Sequence, residues 1–177
     1  MTLGSCQFKS RRMTAHLLDF ILMKNMEKIV TMDFSSEGAS RWAEEGKLDE
    51  WVDAFLRGEG KNIDLADGLR KEKRYWTKLM VLPTSILKRV CGPEPDMEYI
   101  ESQAGWDKRV DALVSSMRAG HKFAPLIVEF KDGALSIRDG SHRYAAYVKE
   151  GLETCPVLIW FNQEKDRDEF MKRYTQS

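Results

Sequence analysis

Residues 135–161 read LSIRDGSHRYAAYVKEGLETCPVLIWF. A short apolar run, Leu135-Ser136-Ile137, ends in Arg138-Asp139-Gly140-Ser141-His142-Arg143. A helical pattern spans 144–150 and stops at Gly151, and Pro156 opens a second apolar run, Val157-Leu158-Ile159-Trp160-Phe161. The order is strand, turn, helix, strand, and the turn is the place for chemistry. Gly140 lets the backbone approach a ligand closely. Ser141 is a favourable helix N-cap. The first free N–H groups of the helix point back at the turn, where the helix dipole favours an anion. His142 adds a switchable positive charge and Arg143 a fixed one. The ligand such a turn holds best is a phosphate.

Upstream, Ala124-Pro125 precedes a strand over 126–130. Lys131-Asp132-Gly133 signals a tight turn, and 134–138 is the returning strand that delivers the chain to Asp139. Trp106, Val110, Leu113, Val114 and Met117 recur at helical spacing and predict a helix over 107–118, stopped by Gly120. These residues, with Ile127, Ile137, Ala146 and Leu158, are the expected core. Further back, a strand is expected over 76–82, ending at Pro83, and one helical turn over 84–89. In Cys91-Gly92-Pro93-Glu94-Pro95 two prolines exclude a helix and hold Glu94 in a defined position.

The first part of the chain reads as helical. One helix is expected over 13–32, a Ser/Gly break over 33–39, and a second helix over 41–57. In the second helix Leu48, Trp51, Val52, Phe55 and Leu56 share one apolar face, read as core and, alternatively, as a partner-binding face. Residues 61–73 form a loop or short helix, and a short final helix lies within 163–177. The pattern predicts an α+β fold, with helices around a small mixed sheet.

The motif Asp139-Gly-Ser-His-Arg-Tyr-Ala-Ala-Tyr147 is similar to the Gly-Cys-His-Arg signature of sulfiredoxins. It also resembles the Asp-Gly-His-His-Arg turn of free-serine kinases and, more distantly, the Gly-Glu-Arg-Arg box of ParB partition proteins. The resemblance covers about 79–161. It implies the ParB/sulfiredoxin-like fold, a helical N-terminal extension over 1–75, and a nucleotide-binding domain over 76–177. It also implies a cofactor, ATP or ADP with CTP as a further candidate, accompanied by Mg2+.

Departures from each family limit what carries over. The sulfiredoxin cysteine position holds Ser141, and a hydroxyl cannot replace a thiolate at neutral pH, so sulfiredoxin activity is rejected. The phosphate-binding part survives: Gly140, Ser141, His142 and Arg143, with Arg109 and Ser116 at the nucleotide-contacting places of the upstream helix. The kinase branch implies Asp139 at the reacting phosphate and Glu94, or less well Glu98, as base; one histidine of that branch's pair is replaced by Ser141. The ParB box lacks its Glu-Arg-Arg. The expected function is an ATP- or ADP-dependent phosphotransferase acting on a small hydroxyl-bearing substrate. The alternative is a non-catalytic nucleotide- or phosphate-sensing ParB-like regulatory module, with a link to DNA processes as a weaker further reading.

Composition bounds the partners. The 177 residues carry 28 basic and 28 acidic side chains, a formal net charge of zero, which gives no support to broad nucleic-acid binding. Nucleic acid is therefore not expected as a partner, and the cluster Lys71, Lys73, Arg74 is read as solvated surface. A protein partner is a candidate through the N-terminal helices. Cys6, Cys91 and Cys155 are widely spaced, so neither a disulfide framework nor a structural zinc site is expected, and reduced thiols suit a cytoplasmic chain. No run of eighteen apolar residues exists, so no membrane partner is expected. Ser10-Arg11-Arg12 is weakly similar to a twin-arginine export signal, but His16 and Asp19 interrupt the apolar region after it and export is not expected. Met1 and Met26 are both possible starts.

Overall fold

The computed structural model describes residues 32–174, so the helix expected over 13–32 and the readings on residues 1–31 lie outside the described residues. Asp33–Ser177 forms one compact unit. Three helices come first: α1 (Ser36–Glu44), α2 (Leu48–Arg57) and α3 (Ile63–Arg70). The strands β1 (Tyr75–Trp76) and β2 (Met80–Pro83) follow, then a 3-10 turn (Thr84–Ile86) and β3 (Leu87–Arg89). A small two-stranded pair, β4 (Cys91–Gly92) and β5 (Tyr99–Ile100), leads into α4 (Gln103–Arg118). The remainder is β6 (Leu126–Lys131), β7 (Ala134–Asp139), α5 (Ser141–Lys149), β8 (Thr154–Phe161) and α6 (Glu164–Tyr174).

The main sheet has six strands in the order β1-β8-β6-β7-β3, with β2 also paired to β8. β6 and β7 are antiparallel, β6 and β8 parallel, β3 and β7 parallel, and β1 and β2 run antiparallel to β8. The fold is α+β, a mixed sheet flanked by helices. The three strands expected at 126–130, 134–138 and 157–161 share this sheet. Asp132 and Gly133, both at positive φ, make the tight turn between β6 and β7.

β8 carries the unbroken apolar run Val157–Phe161, and β6 opens with Leu126-Ile127-Val128, because both faces of these strands are covered. On one face Leu126, Val128, Ile137, Val157, Ile159 and Phe161 form a core with Tyr147 of α5 and Phe170 of α6. On the other, Ile127, Leu158 and Trp160 pack against Trp51, Val52, Phe55 and Leu56 of α2 and Ala66 of α3. Burying each such side chain is worth roughly 1.5–3 kcal/mol. Trp106, Val110 and Val114 fasten α4 to Ala146 of α5; Leu113 and Met117 are half-buried at that seam.

Several boundaries differ from expectation, each for a local reason. The helix expected over 41–57 is two helices, because Gly46 at φ +70° turns the chain between them. The break expected over 33–39 closes early: Ser35 caps α1 by accepting from the Gly38 N–H at 3.2 Å. The strand expected over 76–82 is interrupted at Thr77. Its N–H donates to the Ile159 carbonyl at 2.9 Å and its hydroxyl accepts from the Ile159 N–H at 3.2 Å. The helical turn expected over 84–89 is a 3-10 turn that gives way to β3, drawn into register with β7 at Leu87 and Leu135. Helix α4 begins at Gln103, capped by Ser102, whose hydroxyl accepts from the Gly105 N–H at 3.3 Å. Helix α5 begins at Ser141 and not at Tyr144.

Candidate functional site: the turn from β7 to α5

β7 ends at Asp139, and Gly140 occupies the N-cap position of α5 at φ 101°, ψ 20°. This corrects the reading of Ser141 as N-cap: Ser141 is the first residue inside the helix and is 7% exposed. The cap is glycine because the position is left-handed and crowded. A Cβ there would meet Arg143 Nη2 and Leu126 Cδ2, each at 2.7 Å. No side chain caps α5. Its first intrahelical bond is Tyr144 N–H to the Gly140 carbonyl at 2.9 Å. The N–H groups of Ser141, His142 and Arg143 therefore precede the helical ladder, at the positive end of the helix dipole.

Two ionic clusters flank this helix start. On the α2–α3 side, Arg143 Nη2 donates to Asp139 Oδ2 at 2.8 Å, with the two side chains 13% and 11% exposed. The Arg143 guanidinium lies over the Phe55 ring at 5.2 Å, and its Nε has no hydrogen-bond partner among the described residues. Asp139 Oδ1 accepts from Asn62 Nδ2 at 3.1 Å. The same Asn62 caps α3 through Leu65 N–H, so the cap of one helix steadies the turn before another.

On the α4 side, Glu101 is the centre. His142 Nε2 lies 3.2 Å from Glu101 Oε2, Arg109 Nη1 donates to Oε2 at 3.2 Å, and Cys91 Sγ donates to Oε1 at 3.2 Å. Burial raises the Glu101 carboxyl. The Cys91 hydrogen bond and the charges of His142 and Arg109 outweigh it and hold the carboxyl below the ordinary glutamate range. The His142 ring lies 4.4 Å from the Trp106 ring, and the Arg89 guanidinium covers the same indole at 4.7 Å. Arg89 in turn holds Glu94 at 2.5 Å. The Glu94 carboxyl ends below its ordinary range: burial raises it, but Arg89 and a backbone hydrogen bond together lower it more.

Of the eight residues expected at the site, Asp139, Gly140, Ser141, His142 and Arg143 form the turn itself, and Arg109 joins His142 through Glu101. Glu94 stands one cation away, across Arg89 and Trp106. Ser116 turns back on its own helix, donating to the Ala112 carbonyl at 3.0 Å, two turns beyond Arg109. Glu98 pairs with Arg138 at 2.8 Å. Sequence reasoning missed Glu101 and Asn62. Glu101 was legible only with the start of α4 at Ser102, which places an acid just ahead of a helix. Asn62 meets Asp139 across 77 positions of chain, and no local pattern announces that.

Neither thiol among the described residues, Cys91 or Cys155, is an activated nucleophile. Burial is the main cause that pushes both Cys91 and Cys155 up to about 11, so each is protonated near neutral pH. Among the described residues, no group of three or more His, Cys, Asp or Glu side chains is arranged to hold a metal ion. No described helix is long and apolar enough to cross a membrane.

No protein-family model and no curated protein sequence matches this chain. Among solved structures it is similar to members of the ParB/sulfiredoxin-like superfamily. Sulfiredoxin from Arabidopsis thaliana matches at 28% identity and TM-score 0.37, over 47% of this chain and 84% of that one. A C-terminally truncated chromosome-partitioning protein ParB from Caulobacter crescentus, complexed with CTP-gamma-S, matches at 19% identity and TM-score 0.39, over 57% of this chain and 55% of that one. A free serine kinase in complex with AMP matches at 20% identity and TM-score 0.35, over 46% of this chain and 30% of that one. The chain thus spans most of the sulfiredoxin, about half of the ParB chain and under a third of the kinase. The same ParB in its complex with the centromeric parS site also matches, at 23% identity and TM-score 0.33. That match corrects the expectation that nucleic acid is no partner. A zero net charge is a sum over the whole chain and says nothing of how charge is distributed over its surface.

Proposed function

We propose that this protein binds a nucleotide through its phosphates at the turn formed by Gly140, Ser141, His142 and Arg143. The observation that carries the reading is the glycine-capped start of α5 with two nitrogen donors, the His142 imidazole and the Arg109 guanidinium, gathered beside it on one carboxylate, Glu101. A phosphate brought to the free N–H groups competes with Glu101 for both side chains. Arg143 contributes by position. Locked to Asp139, it packs against Gly140 and keeps the backbone in the left-handed shape that turns the N–H groups outward. ATP, ADP and CTP are the candidate ligands. Magnesium fits as an ion carried in by the phosphates, since it commonly keeps several waters and needs only one or two protein carboxylates; Asp139 is already engaged by Asn62 and Arg143.

A second reading is phosphoryl transfer to a small hydroxyl-bearing substrate, with Glu94 as base. It draws on the Arg89–Trp106 stack that links Glu94 to the His142 ring. The depressed Glu94 carboxyl is a weak base, so this reading requires the nucleotide to draw Arg89 away.

Isothermal titration with ATP, ADP and CTP, with and without magnesium, tests the first reading. Wild type is expected to bind at least one of them. Arg109→Ala is expected to weaken binding about ten- to hundredfold, since one charge-assisted hydrogen bond is worth roughly 1.5–3 kcal/mol, and His142→Ala is expected to weaken it less. Glu101→Gln removes the internal competitor and is expected to bind at least as tightly as wild type. Failure of wild type to bind any of the three overturns the proposal. Product formation that is lost in Glu94→Gln while binding persists is the signature of the second reading.

A further inference from the structure

Between α3 and the sheet lies a groove of about 600 Å³, within the range of small-molecule sites. Its apolar wall is Leu65, Leu69 and Val90, and its floor is Trp160 beneath Arg74. The Arg74 guanidinium stacks over the Trp160 indole at 5.0 Å. Trp160 is 6% exposed, yet its Nε1–H has no hydrogen-bond partner among the described residues, and neither has Arg74 Nε. Buried donors without partners are rare and costly. Here two of them belong to one stacked pair in one groove.

Two of the other charges around the groove, Glu129 and Arg138, are matched to each other. Glu129, 7% exposed, accepts from Arg138 at 2.8 Å, and Arg138 also holds Glu98 at 2.8 Å. Asp64 lies exposed on the rim. Arg74 is less fully spent. It donates to Asn162, reaches the exposed Glu72 at 3.3 Å and the Gly68 carbonyl at 3.4 Å, and keeps Nε unmatched. What the groove lacks is a planar anionic acceptor with two oxygens.

We propose that this groove binds a small carboxylate-bearing molecule, whose carboxylate takes the hydrogen bonds that Trp160 Nε1 and Arg74 Nε lack. Its body lies along Leu65, Leu69 and Val90. Neither donor reaches solvent, so seating the carboxylate involves a shift of the Arg74 guanidinium across the indole. Asn62 lines the groove and donates to Asp139, so the site adjoins the turn without sharing its cations.

The test is the set of tryptophan indole N–H signals in nitrogen-15 spectra of the full chain, with benzoate as probe and benzyl alcohol as uncharged control. Loss of one signal in Trp160→Phe assigns Trp160. Benzoate is expected to move that signal downfield and to saturate, with a Kd of about 10 mM or tighter, and benzyl alcohol is expected to leave it in place. Arg74→Gln keeps the test readable if Trp160→Phe perturbs the core, and is expected to weaken the benzoate effect severalfold. His142→Ala, which alters the turn, is expected to leave it unchanged; this separates the groove from the nucleotide proposal. A Trp160 signal that does not respond to benzoate, that responds equally to benzyl alcohol, or whose response disappears in His142→Ala overturns the proposal.

Discussion

At the scale of single residues, Glu101 does the most to organise the site. It gathers a thiol, an imidazole and a guanidinium around one carboxylate. Its carboxyl is depressed in the fold, so its contribution to stability is complete above the unfolded value, near about 4.3, and is lost as pH falls through the folded value. Urea denaturation of wild type and Glu101→Gln across the acid range measures this. Wild type is expected to be the more stable of the two by about 1 kcal/mol near neutral pH, with the difference shrinking below about pH 4.3. A difference that does not change with pH would show that the cluster holds the carboxyl no more tightly than water does. The residue scale is also where sequence reading reached furthest. The charge pattern of Asp139, His142 and Arg143 nominates a candidate site without any structure, because side-chain chemistry is written in the residue itself. Which charge meets which is a different matter. Arg143 is held by Asp139, and His142 and Arg109 face Glu101, a residue that no motif in the sequence singles out.

At the scale of elements, the backbone shape of the turn rests on a glycine. Gly140 at φ 101° is both strained for any other residue and closed in by Arg143 and Leu126. Gly46 at φ +70° has nothing within 4 Å of an added Cβ. The two separate strain from crowding. Gly46→Ala is expected to cost only the backbone term, about 1 kcal/mol. Gly140→Ala adds a clash and is expected to cost roughly 3 kcal/mol, with a matching loss of nucleotide affinity. Equal costs in thermal or urea unfolding would mean that Arg143 moves aside freely, and that it does not brace the turn. Element boundaries were legible in the sequence where a helical stripe or a glycine marked them, as at α4 and Gly151. They were lost where the decisive partner was remote. β3 exists because Leu87 to Arg89 find β7, and the break between β1 and β2 exists because Thr77 binds Ile159. Neither partner is visible in the local residues.

At the scale of the whole molecule, α1–α3 complete the sheet. They cover the face that carries Ile127, Leu158 and Trp160, and they carry Asn62 to Asp139. A fragment of residues 76–177 leaves that face open. It is expected to bind an apolar dye and to lose the sharp urea transition of the full chain, since half of the core of β6 and β8 has no cover. A monomeric fragment with a cooperative transition would show that the N-terminal helices are dispensable to the sheet. The sequence by itself determined the α+β class, the three inner strands and the place of the turn between β7 and α5. Periodicity, turn residues and charge are local quantities, and short-range sterics and solvation act on them before any distant contact forms. Only the tertiary structure decided that the N-terminal helices cap the sheet's second face, that Glu101 and Asn62 belong to the site, and that Arg74 and Trp160 stack in a groove beside it. Those pairings join residues far apart in the chain, and the energy that selects them exists only once the chain has closed around its core.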